Sequence, residues 1–252
     1  MADSVAAHRR DNRGILANAE KRLLIAIART LPPSIHSDHL SALALVCMCA
    51  VGIGFAAMRY TPTGCWLVVL GLIGNWFGDS LDGTVARVRG HERPRFGYYV
   101  DHVIDMIGIT AVFAGLAISG LMTPVIALAV LVAYLLVAAE VFLGTHVSGV
   151  FRMSRFGIGP TELRIIFGVG AIYAARRAWV SLPLLGAQRL FDVGGCVAIA
   201  GFAAAFLWSS LRQTIDLYRA EPRPTKPGEL ASDPARLSVS LCPAPRGGHL
   251  DG

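Results

Sequence analysis

Apolar positions fall into long runs free of charge, at 40–58, 60–78, 106–139 and 193–211. The three shorter runs approach the ~20 residues with which a helix crosses a bilayer. The fourth, 34 residues long, is interrupted by Gly120 and Pro124, which end one helix and start the next. Carried through flanking residues that still read as helix, the pattern predicts spans near 40–59, 64–86, 98–119, 124–147, 163–182 and 191–212. Only 11 uncharged residues separate Arg164 from Arg176 in the fifth, so its arginines would have to snorkel to the interfaces.

Ahead of the first span, Leu16, Ala19, Leu23, Ile27 and Leu31 recur at spacings of three and four, with Glu20, Lys21, Arg22 and Arg29 mostly off that stripe. This predicts an amphipathic helix lying on the membrane surface. A cleaved signal peptide is the weaker reading, since the Leu23–Ala28 apolar stretch is short and no A-x-A site follows. Beyond Tyr218 come six of the 13 prolines and no periodicity, which predicts a disordered tail. The expected architecture is an all-α integral membrane protein of six transmembrane helices behind a surface helix. Its parts are a cytoplasmic segment at 1–38, a six-helix domain at 39–218 and a cytoplasmic tail at 219–252.

Composition agrees. Of 252 residues, 54% are hydrophobic and 16% charged, against about a quarter charged in a soluble domain. The net charge of +6 lacks the polar surface a nucleic-acid domain would carry it on, so no nucleic-acid partner is expected. Four of the five cysteines lie in apolar stretches without a C-x-x-C and read as small hydrophobes. With six spans, 19 of the 23 basic residues collect on the side of both termini, which the inside-positive tendency makes cytoplasmic. A multi-pass protein of the cell's inner membrane follows.

Four of the 17 acidic residues lie within 27 positions at the edges of apolar spans: Asp79, Asp82, Asp101 and Asp105. Spacings of three and four put each pair on one helix face. The intervening loop centres on residue 92, which leaves Asp82 and Asp101 ten and nine residues from the turn and Asp79 and Asp105 both thirteen. The pairs therefore sit at matched depths. Unscreened charges this close need positive compensation, and an oxygen-only donor set suits hard divalent cations, two Mg²⁺ or Mn²⁺. Paired cations suit displacement at phosphorus. Gly83 and Gly97 leave room for a ligand or a neighbouring helix, and Arg87 can fork onto a phosphate.

The residues read Asp79-Ser-Leu-Asp82-Gly83-Thr-Val-Ala86-Arg87, then nine residues, then Gly97-Tyr-Tyr-Val-Asp101-His-Val-Ile-Asp105. This resembles the signature of the CDP-alcohol phosphatidyltransferase family, D-x-x-D-G-x-x-A-R, eight or nine residues, G-x-x-x-D-x-x-x-D, with all eight fixed positions present. The resemblance implies that Asp79, Asp82 and Asp101 are metal ligands and that Asp105 is the general base and also touches a metal. It implies that Gly83, Ala86 and Arg87 line the site for the CDP group and that Gly97 gives the diphosphate room. The implied reaction moves a phosphatidyl group from CDP-diacylglycerol to a hydroxyl of a small polar alcohol, phosphorylated or not, with release of CMP. Homodimers are common in the family. Where members often begin the first span with Pro-Asn-x-x-Thr, this chain has Ser37-Asp38-His39-Leu40-Ser41, a departure that bears on acceptor identity.

Other signals are weaker. Glu140 is the one acid deep in the fourth span and is an acceptor-binding candidate beside the alternative of an interhelical hydrogen bond. Arg152, Arg155 and Arg164 collect on the aspartate side and suit a phosphorylated acceptor, or anionic headgroups. His102 reads as an interface residue. The rival class is a cation or proton transporter using the intramembrane aspartates; its sites tend to lie at the membrane midplane, whereas these flank a cytoplasmic loop.

Overall fold

The computed structural model describes residues 15–148, 160–183 and 186–221. These form α1 (Ile15–Thr30), α2 (Ser37–Ala57), α3 (Gly64–Arg89), α4 (Pro94–Ser119), α5 (Pro124–Ser148), α6 (Pro160–Arg176), β1 (Trp179–Leu182), β2 (Gly186–Arg189) and α7 (Leu190–Ala220). The tail expected to be disordered begins at 219, but α7 runs on to Ala220; the rest of that tail from 222 and the first 14 residues lie outside the described residues. The chain divides into two compact units, Met1–Leu207 and Trp208–Gly252. The described part of the second is the end of α7, where Arg212 and Asp216 face each other one turn apart at 3.9 Å.

Helices dominate, and their limits follow local chemistry. Proline opens α4, α5 and α6, where its missing N–H has no intrahelical partner to lose. Gly90 (φ 66°) and Gly120 (φ 75°) stop α3 and α4 in left-handed backbone. Among the described residues, α2, α3, α4, α5 and α7 are long and apolar enough to cross a membrane.

The predicted span at 163–182 needs correction. Helix α6 covers 17 residues and stops at Arg176, a length of ~26 Å, and Trp179–Leu182 pairs antiparallel with Gly186–Arg189. Two arginines end the apolar run there, and Gly186 (φ 70°) lets the chain reverse. Residues 179–182 thus pair in a hairpin and do not continue the helix.

Helix α2 packs on α3 and α4, α4 on α5, and α3 on α1 and α6. The main core joins Val51 and Phe55 of α2, Val68 and Leu72 of α3, Phe113 and Leu116 of α4, and Val130 of α5. At the α2–α4 crossing the backbones touch: a Cβ on Gly115 would stand 2.0 Å from the Gly52 carbonyl oxygen, and one on Gly52 2.3 Å from that of Ala111. A second cluster joins Leu24 and Ala28 of α1 to Leu40, Leu81 and Val85, with Ile27 and Leu31 packed on it, while Leu23 stays exposed.

Each end of the helices is tied. Where α3 finishes, the Arg89 guanidinium donates to the carbonyls of Leu31, Pro32 and Ile35. At the opposite end Asp192 accepts from the Thr123 N–H (2.6 Å) and hydroxyl (2.7 Å), and Arg189 donates to the same hydroxyl.

Candidate active site

The second half of α3 carries Asp79, Asp82, Gly83, Ala86 and Arg87, and the first half of α4 carries Gly97, Asp101 and Asp105. On α3 the apolar residues of the same turns, Leu81 and Val85, are fully buried. Burying them leaves Asp79 and Asp82 to one side of that buried face, Asp82 next to Val85 at its border. The Asp105 carboxylate lies within Coulomb range of Asp101, Asp79 and Asp82 and of the Arg164 guanidinium. Asp82 lies within range of Asp79 and Asp101. The structure thus brings the four aspartates into one electrostatic neighbourhood and adds Arg164 to it.

The carboxylates of α3 are held by protein donors. Ser41 of α2 donates its hydroxyl to Asp82 Oδ2 at 2.6 Å, and the Gly83 N–H reaches Asp82 Oδ1. Arg164 of α6 donates from Nη2 to Asp79 Oδ2 at 2.6 Å, a pair with both side chains mostly buried. Asp105 is exposed, and Asp79, Asp82 and Asp101 are half-buried.

Among the described residues, no three His, Cys, Asp or Glu side chains converge closely enough to enclose an ion. Asp79 is engaged by Arg164 and Asp82 by Ser41. Their chemistry still fits a hard dication, because every candidate donor is a carboxylate oxygen and the four act on one another electrostatically.

Gly83 and Gly97 differ from the packing glycines of the α2–α4 crossing. Among the described residues, a Cβ on Gly97 would meet nothing within 4 Å, and one on Gly83 only the Arg87 guanidinium, from 3.5 Å. Packing among the described residues therefore requires neither glycine. Arg87 is exposed and donates to Thr84 Oγ1 at 3.3 Å. Ala86 borders a cavity of about 340 Å³ with His36, Ser37, Asp38 and Arg93; none of the four aspartates lines it. Two of its lining residues, Arg93 and Asp38, form an ion pair.

Arg152 and Arg155 lie outside the described residues. Glu140 is half-buried on α5, six residues past Tyr134, whose hydroxyl lies within Coulomb range of Asp105 and Asp101. His102 sits between α4 and α5, its ring 4.9 Å from that of Phe142 and its Nδ1 2.7 Å from the Tyr98 carbonyl oxygen. Sequence reasoning left two contributors unassigned. Ser41 is one. Asn75 is the other: it is buried, donates to the Ala44 carbonyl oxygen (3.1 Å) and accepts from Arg164 Nε (2.8 Å). Its sequence signal was an amide in an apolar run one turn before Asp79.

The model of the family described as CDP-alcohol phosphatidyltransferase matches residues 37–208. No curated protein sequence matches. Among solved structures, the chain is similar to the crystal structure of Mycobacterium tuberculosis phosphatidylinositol phosphate synthase (PgsA1) with CDP-DAG bound. The identity is 22% and the TM-score 0.53, covering 82% of this chain and 96% of that one. At that identity the likeness speaks for the fold. The family match extends over more than half of the sequence and includes both aspartate-bearing helices and Ser41 and Arg164, and the chain belongs to the CDP-alcohol phosphatidyltransferase family.

Proposed function

We propose that this chain transfers a phosphatidyl group from CDP-diacylglycerol to a hydroxyl of a small polar alcohol. The acceptor oxygen forms a bond to the lipid-linked phosphorus, the bond from that phosphorus to the CMP oxygen breaks, and CMP leaves. The observation that carries the reading is the eight-position motif on two helices whose four carboxylates act on one another and on Arg164. The CDP-DAG held by the mycobacterial synthase of similar fold supports the donor.

Asp105 is the base. Its exposure leaves its carboxylate open to an incoming hydroxyl, whose proton it takes as the oxygen attacks. Asp79, Asp82 and Asp101, with Asp105, would hold two Mg²⁺ or Mn²⁺. When bound, these ions neutralise the diphosphate and stabilise the departing CMP. Gly83 and Gly97 leave space beside the backbone for the CDP group, which Ala86 borders and Arg87 meets with its guanidinium. Arg164, together with Arg152 and Arg155, supplies positive charge for an acceptor that carries a phosphate, and Glu140 would accept from acceptor hydroxyls.

We place this chemistry at the cytoplasmic face of the inner membrane, with both termini cytoplasmic, α6 as a sixth crossing, α1 on the membrane surface and the chain as a homodimer. The 39–218 segment is the catalytic domain, between a cytoplasmic 1–38 and a cytoplasmic tail. No observation favours a transporter, whose carboxylates would be expected at mid-span.

CMP release from CDP-diacylglycerol, measured with glycerol 3-phosphate, inositol phosphate, inositol, serine and choline in turn, tests the reaction and names the acceptor. Release with one acceptor supports it. No release with any acceptor in the presence of Mg²⁺ or Mn²⁺ overturns it.

A further inference from the structure

Three helices meet at Asn75. Its carboxamide on α3 is 4% exposed, and both ends of the group are used. The nitrogen donates to the Ala44 carbonyl oxygen of α2 at 3.1 Å, and the oxygen accepts from Arg164 Nε of α6 at 2.8 Å. The same guanidinium places Nη2 2.6 Å from Asp79 Oδ2. Asn75 and Asp79 are four residues apart on α3, so one helix face presents two acceptors one turn apart. Nε–H and Nη2–H form one edge of the planar guanidinium fork, whose N–H directions are fixed relative to one another. An acceptor that fixes one N–H of that edge therefore fixes the direction of the other.

We propose that Asn75 is a positioning residue for the transfer reaction: it anchors the Arg164 fork so that Nη2 holds one chosen oxygen of Asp79. This inference rests on the proposed reaction only for its kinetic readout. A long arginine side chain reaching across from α6 loses substantial rotamer freedom when pinned. The contact to Asn75 is what makes one orientation dominant. Asp79 Oδ2 is then engaged by Arg164, and Oδ1 is the oxygen that Asn75, acting at a distance, leaves facing other partners. The Ala44 carbonyl is a secondary partner, because it lies within α2 and a carbonyl oxygen has two lone pairs.

The test is a double-mutant cycle with Asn75→Ala and Arg164→Gln, read in two ways. In CMP release, Asn75→Ala alone should lower kcat about tenfold with the KM for CDP-diacylglycerol within about twofold, the mark of misplacement rather than lost binding. Added to Arg164→Gln it should cost no further activity. The second reading needs no turnover: in detergent without added divalent cation, Asn75→Ala should lower the unfolding midpoint of the parent clearly more than that of the Arg164→Gln variant. Equal midpoint losses in the two backgrounds overturn the proposal, as do equal activity losses when the parent is active. A parent that releases no CMP sinks the proposed reaction alone, and the midpoints still decide the role of Asn75. If Asn75→Ala fails to fold, Asn75→Leu keeps the side-chain volume and repeats both readings.

Discussion

At the scale of single residues, Asp105 and Asp82 do different work because their surroundings differ. Asp105 is exposed and within range of three other carboxylates and one guanidinium. Asp105→Asn keeps the shape and removes the ability to take a proton. CMP release should fall at least about 100-fold, the low end of what a general base contributes, with the unfolding midpoint unchanged. Asp82 has both oxygens engaged, by Ser41 and by the Gly83 N–H, so its orientation is fixed from two elements. Asp82→Ala should abolish activity, and the stabilisation of the protein by added Mg²⁺ or Mn²⁺ in a thermal shift should vanish with it. A retained metal shift would take Asp82 out of the ligand set. The motif residues were legible because their spacing is local and periodic. Asn75 was not, because its partners lie 31 and 89 positions away, and no local period reports a contact of that separation.

At the scale of elements, helix limits were read where Gly120 and Pro124 set them, whereas α3 runs on to Arg89 before Gly90 and α4 starts at Pro94, past the predicted limits of 86 and 98. The fifth predicted span overran its helix for a related reason. Its apolar residues continue past Arg177 as Trp179-Val-Ser-Leu, which hydropathy counts as membrane but which pairs as a strand with Gly186–Arg189. Aromatic and β-branched side chains favour that pleated surface, and hydropathy does not see the partner strand. The α2–α4 crossing was equally hidden, since glycines in apolar runs do not announce which helix they touch. Gly115→Ala places a methyl carbon 2.0 Å from the Gly52 carbonyl oxygen. The helices must separate, and the unfolding midpoint should drop by the equivalent of about 1–3 kcal/mol, the usual cost of overpacking. Gly97→Ala, with nothing within 4 Å, should leave that midpoint in place.

At the scale of the whole molecule, hydropathy foresaw a membrane protein built of apolar helices, and the charge pattern predicts that the aspartates lie at the end where most basic residues collect. That asymmetry gives a further prediction. A single cysteine replacing Glu92, in a background whose native cysteines are changed to serine, should react with an impermeant maleimide only from the cytoplasmic side. Reaction from outside would invert the arrangement and put the polar acceptor and the released CMP on the wrong face.

The direct backbone meeting of Gly52 with Ala111 and Gly115 has a mechanical consequence. Where those backbones touch, no side chain intervenes to slide or re-rotamerise, so α2 and α4 are expected to move together as a stiff plate, and α2 carries Ser41 while α4 carries Asp101 and Asp105. Admitting a two-tailed lipid then falls to pieces outside that plate, such as α5 and α6, which bear Glu140 and Arg164. Amide exchange would read this division directly, slow in the plate and faster in the movable wall.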